Sequence, residues 1–332
     1  MIRKLISSIF LGVLIFAANA QNRASWMKDA KWGVMVHYQA FWLASENHLD
    51  SITLDQWNKL INEFDTDGLA KQLNEVGANY LIFTLTHSPM YFVAPNSMYD
   101  HYTGITPSRC AKRDLVSDLS SSLSKYNIKL IVYLPGPPRG RSEEEIRGFA
   151  LDRGDDREAE AILRWQEVIR EYSIKWGEKI AGWWFDGCYQ PNTLYRHPDI
   201  PNFASMAAAA RAGNPNNIVT FNPGVFPRIM SMTPYEDYTA GEINEPDGIR
   251  FAYNKNGMID GRQIHILSYL GHDWGQGMPR FKDEQIIKWS KTIQDVGGAI
   301  TWDVPPRLNG QIQESFINQL HKIGEALGTI KE

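Results

Sequence analysis

Residues 182–187 read GWWFDG, a run of apolar residues that ends in a carboxylate and a glycine. A short apolar run of this kind is typical of a strand that is buried on both faces of a parallel sheet. Similar runs recur along the chain, at residues 33–37, 80–84, 130–133, 218–221, 264–267 and 299–302, with a weaker one near 234–238. The sequence therefore contains eight candidate strands.

Helical patterns lie between several of these runs. Apolar residues three or four positions apart predict amphipathic helices at residues 67–76, 114–126, 157–179, 202–211, 283–296 and 313–327. Strands that alternate with helices predict an α/β protein, and eight of them predict a (β/α)8 TIM-like barrel. A single domain over residues 21–332 is expected. An open doubly wound sheet is the alternative, although no G-x-G-x-x-G motif follows the first strand.

The first twenty residues have the pattern of a secretory signal peptide. Arg3 and Lys4 precede an apolar run at residues 5–17, and small residues at 18 and 20 form a cleavage site. The run is too short to span a bilayer comfortably, and no later stretch is long enough. We therefore expect an exported protein, periplasmic or extracellular, with no membrane span after cleavage. The alternative is an anchor that stays attached.

Composition narrows the class of protein. Of 332 residues, 43% are hydrophobic and 22% are charged, which excludes a disordered or fibrous chain. The net charge of −4 argues against a basic nucleic-acid-binding surface, so no nucleic-acid partner is expected. A homo-oligomer is left open. Cys110 and Cys188 could form one disulfide in an oxidising compartment, or both could be buried thiols.

Active-site groups of such a barrel come from the carboxyl ends of its strands. Carboxylates and aromatic residues dominate at these positions, which are His37, Thr86, His87, Asp186, Asn222, Glu236, Asp237, Glu242, Glu245, Trp274, Trp302 and Asp303. Aromatic faces stack on the C–H faces of sugars, although most of the eleven tryptophans are expected in the core.

Asp186 is the sharpest local signal. A carboxylate at the mouth of an apolar strand suits a nucleophile or an acid/base group. The same Asp-Gly pair also fits a turn or a helix N-cap, and the residues alone do not choose between these interpretations. The motifs of zinc hydrolases, serine hydrolases and P-loop enzymes are missing, so no metal and no cofactor is predicted.

Six segments, in chain order, resemble the catalytic domain of the α-L-fucosidase family (glycoside hydrolase family 29). They are WMKDAKWGVMVH at 26–37, LNEVGANYLIFT at 73–84, KRDLV at 112–116, WFDG at 184–187, YTAGE at 238–242 and residues 309–327. The resemblance implies a retaining exo-glycosidase that acts on glycans carrying terminal α-L-sugars. It implies that Asp186 is the nucleophile. Glu242 is the first choice for the acid/base, with Glu245 and Glu236 behind it.

The resemblance also implies a set of substrate-binding residues, namely His37, Tyr38, His87, Trp184, Trp274 and Trp302. Two departures from the family pattern bear on the sugar pocket. The family's HWG reads HYQ at 37–39, and Ser88 replaces the second histidine of its KHHDGF segment. The loss of an imidazole should alter which hydroxyls are recognised. An α-L-galactoside or another linkage, or a catalytically silent glycan-binding barrel, is therefore an alternative. The β-sandwich that commonly follows this barrel is not expected.

Overall fold

The computed structural model describes residues 23–138, 142–247 and 256–330. The predicted signal peptide lies outside the described residues. Within these ranges the chain forms nine strands: β1 Trp32–Val36, β2 Tyr80–Thr84, β3 Lys129–Pro135, β4 Gly182–Asp186, β5 Ile218–Phe221, β6 Met258–Ile259, β7 Arg262–Gln263, β8 His265–Tyr269 and β9 Ala299–Val304. Seven of them form one parallel sheet in the order β5-β4-β3-β2-β1-β9-β8, while β6 and β7 form a small antiparallel hairpin.

Helices connect most of these strands. They are α1 Ser25–Ala30, α2 Ala40–Glu46, α3 Leu54–Glu63, α4 Thr66–Glu75, α5 Ser97–Thr103, α6 Leu115–Ser124, α7 Glu143–Gly148, α8 Ala159–Trp176, α9 Pro191–Leu194, α10 Phe203–Ala210, α11 Asp283–Asp295 and α12 Glu314–Leu327. The six predicted helices correspond to α4, α6, α8, α10, α11 and α12. Local chemistry sets some of their ends: the Asp65 carboxylate, for example, accepts the Gly68 N–H at the start of α4.

An irregular segment takes the place of the predicted sixth strand. The Asp237 N–H donates to the Val219 carbonyl of β5, and Glu242 forms a parallel bridge with Leu267 of β8. Residues 237–242 thus join the two edges of the sheet and complete the barrel. The segment is not a regular strand because Gly241 has a φ of +63°, which interrupts the extended backbone. A Cβ at this position would lie 2.0 Å from the His265 carbonyl oxygen.

The core has two parts, separated by the sheet. One apolar cluster, which includes Met35, Tyr133, Trp184 and Leu267, fills the inside of the barrel. The larger cluster lies between the sheet and the helices. Successive side chains of a strand point to opposite faces, so parity along each strand decides which cluster a residue joins. The same parity decides which side chains can reach the barrel mouth.

Cys110 and Cys188 do not form a disulfide, and both are buried thiols. Cys110 lies beside Phe92, and the Cys188 N–H donates to the Asn222 carbonyl near the end of β5. Across the three described ranges, no helix is long and apolar enough to cross a membrane.

Candidate active site

A cavity of about 190 Å³ lies at the carboxyl ends of the barrel strands. Its walls are carboxylates, imidazoles and aromatic rings, together with two apolar side chains of the barrel interior. The lining residues are Met35, His37, Trp42, His87, Tyr133, Trp184, Asp186, Tyr189, Glu242, Leu267 and Trp274. An apolar floor with a few polar groups above it is typical of a small-molecule site.

Three donors hold the Asp186 carboxylate at the end of β4. The Tyr133 hydroxyl donates to Oδ2 at 2.7 Å. The Asn222 side-chain amide donates to Oδ1 at 2.8 Å, and the Tyr189 hydroxyl donates to the same oxygen at 3.2 Å. Burial and the neighbouring Asp186 raise the pKa of Tyr133 well above its usual value, so this phenol stays protonated as a donor. These three contacts fix the orientation of the Asp186 carboxyl group.

Glu242 stands across the cavity on the irregular segment. Burial and the charge of Asp186 raise the pKa of Glu242 to about 7, against the hydrogen bond from Asn222 and the nearby His37 imidazole, which lower it. The two carboxyls therefore differ in environment: Asp186 is held by three donors, whereas the pKa of Glu242 lies near neutral pH. Such a pair is suited to nucleophilic and acid/base work on one bond.

Asn222 links the two carboxyls directly. Its Nδ2 donates to Asp186 Oδ1 at 2.8 Å and to Glu242 Oε2 at 2.5 Å. Its Oδ1 accepts the Gly224 N–H at 3.0 Å, which keeps the NH2 group turned toward the cavity. Since both oxygens contact one nitrogen, their separation cannot exceed the sum of the two bonds. This upper limit on the distance between the two oxygens is compatible with the spacing of about 5–5.5 Å between the paired carboxyls of retaining glycosidases.

His37 forms another wall, at the end of β1. Its Nδ1 lies 2.7 Å from Oδ1 of Asp303, which is fully buried at the end of β9. Its ring makes edge contacts with Trp42, Tyr133 and Trp274, with centroids 4.8, 5.5 and 6.0 Å away. Among the described residues, no cluster of three or more potential ligands could hold a metal ion.

The family model for alpha-L-fucosidases matches residues 53–332. The chain belongs to the alpha-L-fucosidase family. Membership makes this fucosidase-family protein a glycoside hydrolase that acts on fucosyl substrates. No curated protein matches the chain.

Solved structures share the fold at low identity. The endo-fucoidan hydrolase P5AFcnA of glycoside hydrolase family 107 is 17% identical, with a TM-score of 0.67 over 93% of each chain. The endo-fucoidan hydrolase MfFcnA4 is 18% identical, with a TM-score of 0.69 over 92% of this chain and 54% of its own. The alpha-L-fucosidase AlfC from Lactobacillus casei is 15% identical, with a TM-score of 0.61 over 92% and 97%. These likenesses agree with the predicted TIM-like barrel.

The structure brings six predicted site residues of this fucosidase-family protein together in the cavity: His37, His87, Trp184, Asp186, Glu242 and Trp274. They come from β4, from the segments that follow β1, β2 and β8, and from the irregular segment, which the barrel brings together at one mouth. His87 lies beside Trp42 and Tyr133, with ring centroids 5.5 and 6.1 Å away.

Two predicted substrate-binding residues lie outside the cavity, and strand parity is the reason. Tyr38 is buried in the outer cluster, where its ring packs on Phe64 and its hydroxyl donates to the Leu308 carbonyl. Trp302 is also in the outer cluster and donates to the Ser290 hydroxyl of α11. Neither side chain offers a surface to a sugar in this cavity.

The two reserve choices for the acid/base are also displaced from the cavity. Glu236 is buried and accepts the backbone N–H of Met232 at 2.6 Å, so its carboxyl is engaged in the loop before the irregular segment. Glu245 has a side chain that is 64% exposed and lies 3.9 Å from Arg280. Glu242 is the one of the three that lines the cavity.

Sequence reasoning missed Tyr133, Trp42 and Tyr189 as lining residues. Tyr133 was hidden as the last residue of an apolar run, although it has the inward parity of Ile131, which belongs to the inner cluster. Trp42 comes from helix α2, which follows β1, and Tyr189 comes three residues after Asp186. A search of the loops and first helical turns just beyond each strand end, and not only of the strand ends, finds both.

Proposed function

We propose that the protein is a retaining exo-glycosidase that removes terminal α-L-fucosyl residues from glycans, with Asp186 as nucleophile and Glu242 as acid/base. The observation that carries the proposal is the Asn222 amide, which contacts both carboxyls at once. An inverting enzyme needs about 6.5–9.5 Å between its carboxyls to admit a water molecule, whereas the oxygens of this pair that contact Asn222 are closer together than that.

The reaction then follows in two balanced steps. Asp186 attacks the anomeric carbon while the glycosidic C–O bond breaks, and Glu242 gives its proton to the departing oxygen. Glu242, now a carboxylate, takes a proton from water. The water oxygen bonds to the anomeric carbon, and the ester bond to Asp186 breaks. The product keeps its anomeric configuration because two inversions have occurred.

The contacts of the two carboxyls fit these roles. Asp186 must be ionised to attack, and the hydroxyls of Tyr133 and Tyr189 together with the Asn222 amide stabilise its charge. Glu242 must be protonated to start the reaction, and a pKa of about 7 provides that proton under near-neutral conditions. Trp184 and Trp274 add aromatic surface to the walls, which is suited to the C–H face of a sugar.

An endo-acting hydrolase of a fucose-containing polymer is a second candidate. The fold matches P5AFcnA, named as an endo-fucoidan hydrolase, over 93% of both chains. Exposed aromatic side chains also follow two neighbouring strands: Tyr189, which lines the cavity, is 50% exposed, and Phe226, in the segment after β5, is 43% exposed. Such a rim could support sugar units on either side of the cleaved bond.

The test is hydrolysis of an aryl α-L-fucoside by residues 21–332, with Asp186→Asn as the control. Release that disappears in the variant, with α-L-fucose as the first product seen by proton NMR, supports the proposal. β-L-Fucose as first product would contradict the retaining mechanism. Cleavage of polymer without release of monosaccharide would favour the endo-acting candidate, and cleavage of an aryl α-L-galactoside alone would redefine the sugar.

We also propose that the protein is exported, because residues 1–20 have the pattern of a signal peptide. Expression of the full chain in a bacterial host should yield, in the periplasm or the medium, a mature protein that begins at Gln21. A protein that remains in the cytoplasm with its N-terminal residues intact would contradict this proposal.

A further inference from the structure

We propose that Asp303 is a positioning residue of this active site, which orients His37 toward the sugar and ties it to the loop that carries Trp274. The functional part of this inference rests on the proposed function, since His37 is taken to contact the substrate. Asp303 does not itself line the cavity. It acts through two groups that its carboxylate contacts, the His37 imidazole and the Gly275 N–H.

Both oxygens of the Asp303 carboxylate are engaged. Oδ1 lies 2.7 Å from His37 Nδ1, and Oδ2 accepts the Gly275 N–H at 2.6 Å. The carboxylate is fully buried, and a buried carboxylate needs such partners to remain in place. One side chain thus joins the end of β1, the end of β9 and the loop after β8.

The contact with Asp303 sets the tautomer of His37. A carboxylate oxygen only accepts hydrogen bonds, so Nδ1 carries the proton and Nε2 is the ring nitrogen left for a ligand. Trp42, Tyr133 and Trp274 surround the ring, which restrains it from turning. His37 therefore presents one defined nitrogen in one defined direction.

The Gly275 backbone belongs to the same unit. Gly275 has a φ of +62°, and a Cβ there would lie 2.8 Å from the His37 Cβ and 3.0 Å from the Trp42 ring. The loop thus packs directly against His37, and its N–H is fixed by Asp303. Because Trp274 precedes Gly275, the position of this aromatic wall depends on the same carboxylate.

Asp303→Asn tests this arrangement without a change of shape. An amide has one accepting oxygen and one donating NH2 group. The Gly275 N–H can only donate, so it retains the oxygen, and the NH2 group then faces His37 Nδ1. His37 must then accept at Nδ1 and carry its proton on Nε2. The nitrogen that faces the sugar therefore changes from a hydrogen-bond acceptor to a donor.

The experiment measures kcat and KM on an aryl α-L-fucoside, and the melting temperature, for Asp303→Asn, His37→Gln and the double variant. We expect kcat/KM to fall about 10- to 100-fold in Asp303→Asn, which matches the loss of one hydrogen bond to a charged group. In the His37→Gln background the same change should cost less than about twofold, because its route of action is gone. Asp65→Asn is the matched control, since the Asp65 carboxylate accepts the Gly68 N–H and the Gln311 side-chain amide and does not line the cavity, and its kcat/KM should stay within about twofold of the parent.

Kinetics of Asp303→Asn within about twofold of the parent, or losses that multiply fully in the double variant, would overturn the proposal. A second measurement needs neither a folded Asp303→Asn nor an active parent. Nitrogen-15 NMR of histidine-labelled protein should show His37 protonated at Nδ1, assigned by its loss in His37→Gln. A His37 protonated only at Nε2 would refute the proposal, whereas an inactive parent with the expected tautomer would count against the proposed function alone.

Discussion

Replacing Glu242 by glutamine should remove the acid/base without disturbing the rest of the cavity. Glutamine has the same shape, and its amide oxygen can still accept the hydrogen bond from Asn222. The variant cannot donate a proton to a leaving group, and it cannot activate water. We expect its fold to be intact and its catalysis to fail in a manner that depends on the substrate.

The size of the effect follows from the environment of this carboxyl. With a pKa of about 7, Glu242 is about nine-tenths protonated at pH 6, whereas an unperturbed glutamic acid would be almost wholly ionised there. General acid catalysis by such a group contributes about 10²- to 10⁴-fold. The parent enzyme should lose kcat/KM as pH rises through about 7, and this limb should be absent from the Glu242→Gln profile.

The assay compares two leaving groups and one external nucleophile. Methyl α-L-fucoside needs an acid for departure, and α-L-fucosyl fluoride does not. The variant should lose about 10²- to 10⁴-fold on the methyl fucoside and far less in the first step with the fluoride. Azide should restore turnover on the fluoride and give the α-L-fucosyl azide, because it attacks the glycosyl-enzyme from the side that Glu242 occupied.

Glu236→Gln and Glu245→Gln are the matched controls, since neither carboxyl lines the cavity. Both should keep kcat/KM on the methyl fucoside within about threefold of the parent. Full activity of Glu242→Gln on this substrate would refute the assignment. So would a basic limb near pH 7 that persists in the variant, or a selective loss in either control.

Three further changes test other parts of the structure. Tyr133→Phe removes the 2.7 Å hydrogen bond to Asp186 and should lower kcat/KM about 10- to 100-fold at an unchanged melting temperature. An unaffected kcat/KM would show that this bond does not contribute to catalysis. Trp302→Phe loses the hydrogen bond to Ser290 and should lower the free energy of unfolding, measured by chemical denaturation, by about 1–3 kcal/mol. Its kcat/KM should stay within about twofold of the parent, and a selective rise in KM would instead show that Trp302 contacts the sugar. Burial raises the pKa of Glu236 to about 8, so the folded state keeps a proton that the unfolded chain loses above about pH 4.5, and stability should fall as pH rises from there through 8. Glu236→Gln should flatten that decline in thermal melts at pH 5 to 8, and an unchanged slope would rule out Glu236 as its source.

Local patterns were enough to predict the barrel. Each buried parallel strand appears as its own apolar run, and each amphipathic helix shows its own periodicity. The sixth position was the weak point, because Gly241 breaks the extended backbone there and leaves only isolated bridges. A conformation with positive φ in a short segment leaves no periodic signal, so sequence could show the place of this segment but not its form.

The sequence alone pointed to Asp186 as the candidate nucleophile, through the resemblance of residues 184–187 to the family's WFDG segment, and to the neighbourhood of its partner. Asp186 ends an apolar strand, and that local fact needs no tertiary contact. The choice among Glu236, Glu242 and Glu245 was different, since all three follow the same strand within ten residues. Burial and the bridge through Asn222 distinguish Glu242, and both depend on parts of the chain that are distant in sequence.

Tertiary structure alone decided which aromatic and histidine side chains meet at the barrel mouth. Tyr38 and Trp302 lie near the carboxyl ends of strands, as His37 and Trp184 do, yet they belong to the outer cluster between the sheet and the helices. The reason is that a strand alternates its faces with period two, and the sequence of a strand buried on both faces does not mark which face is inside. Closure of the barrel assigns the faces, and with them the site.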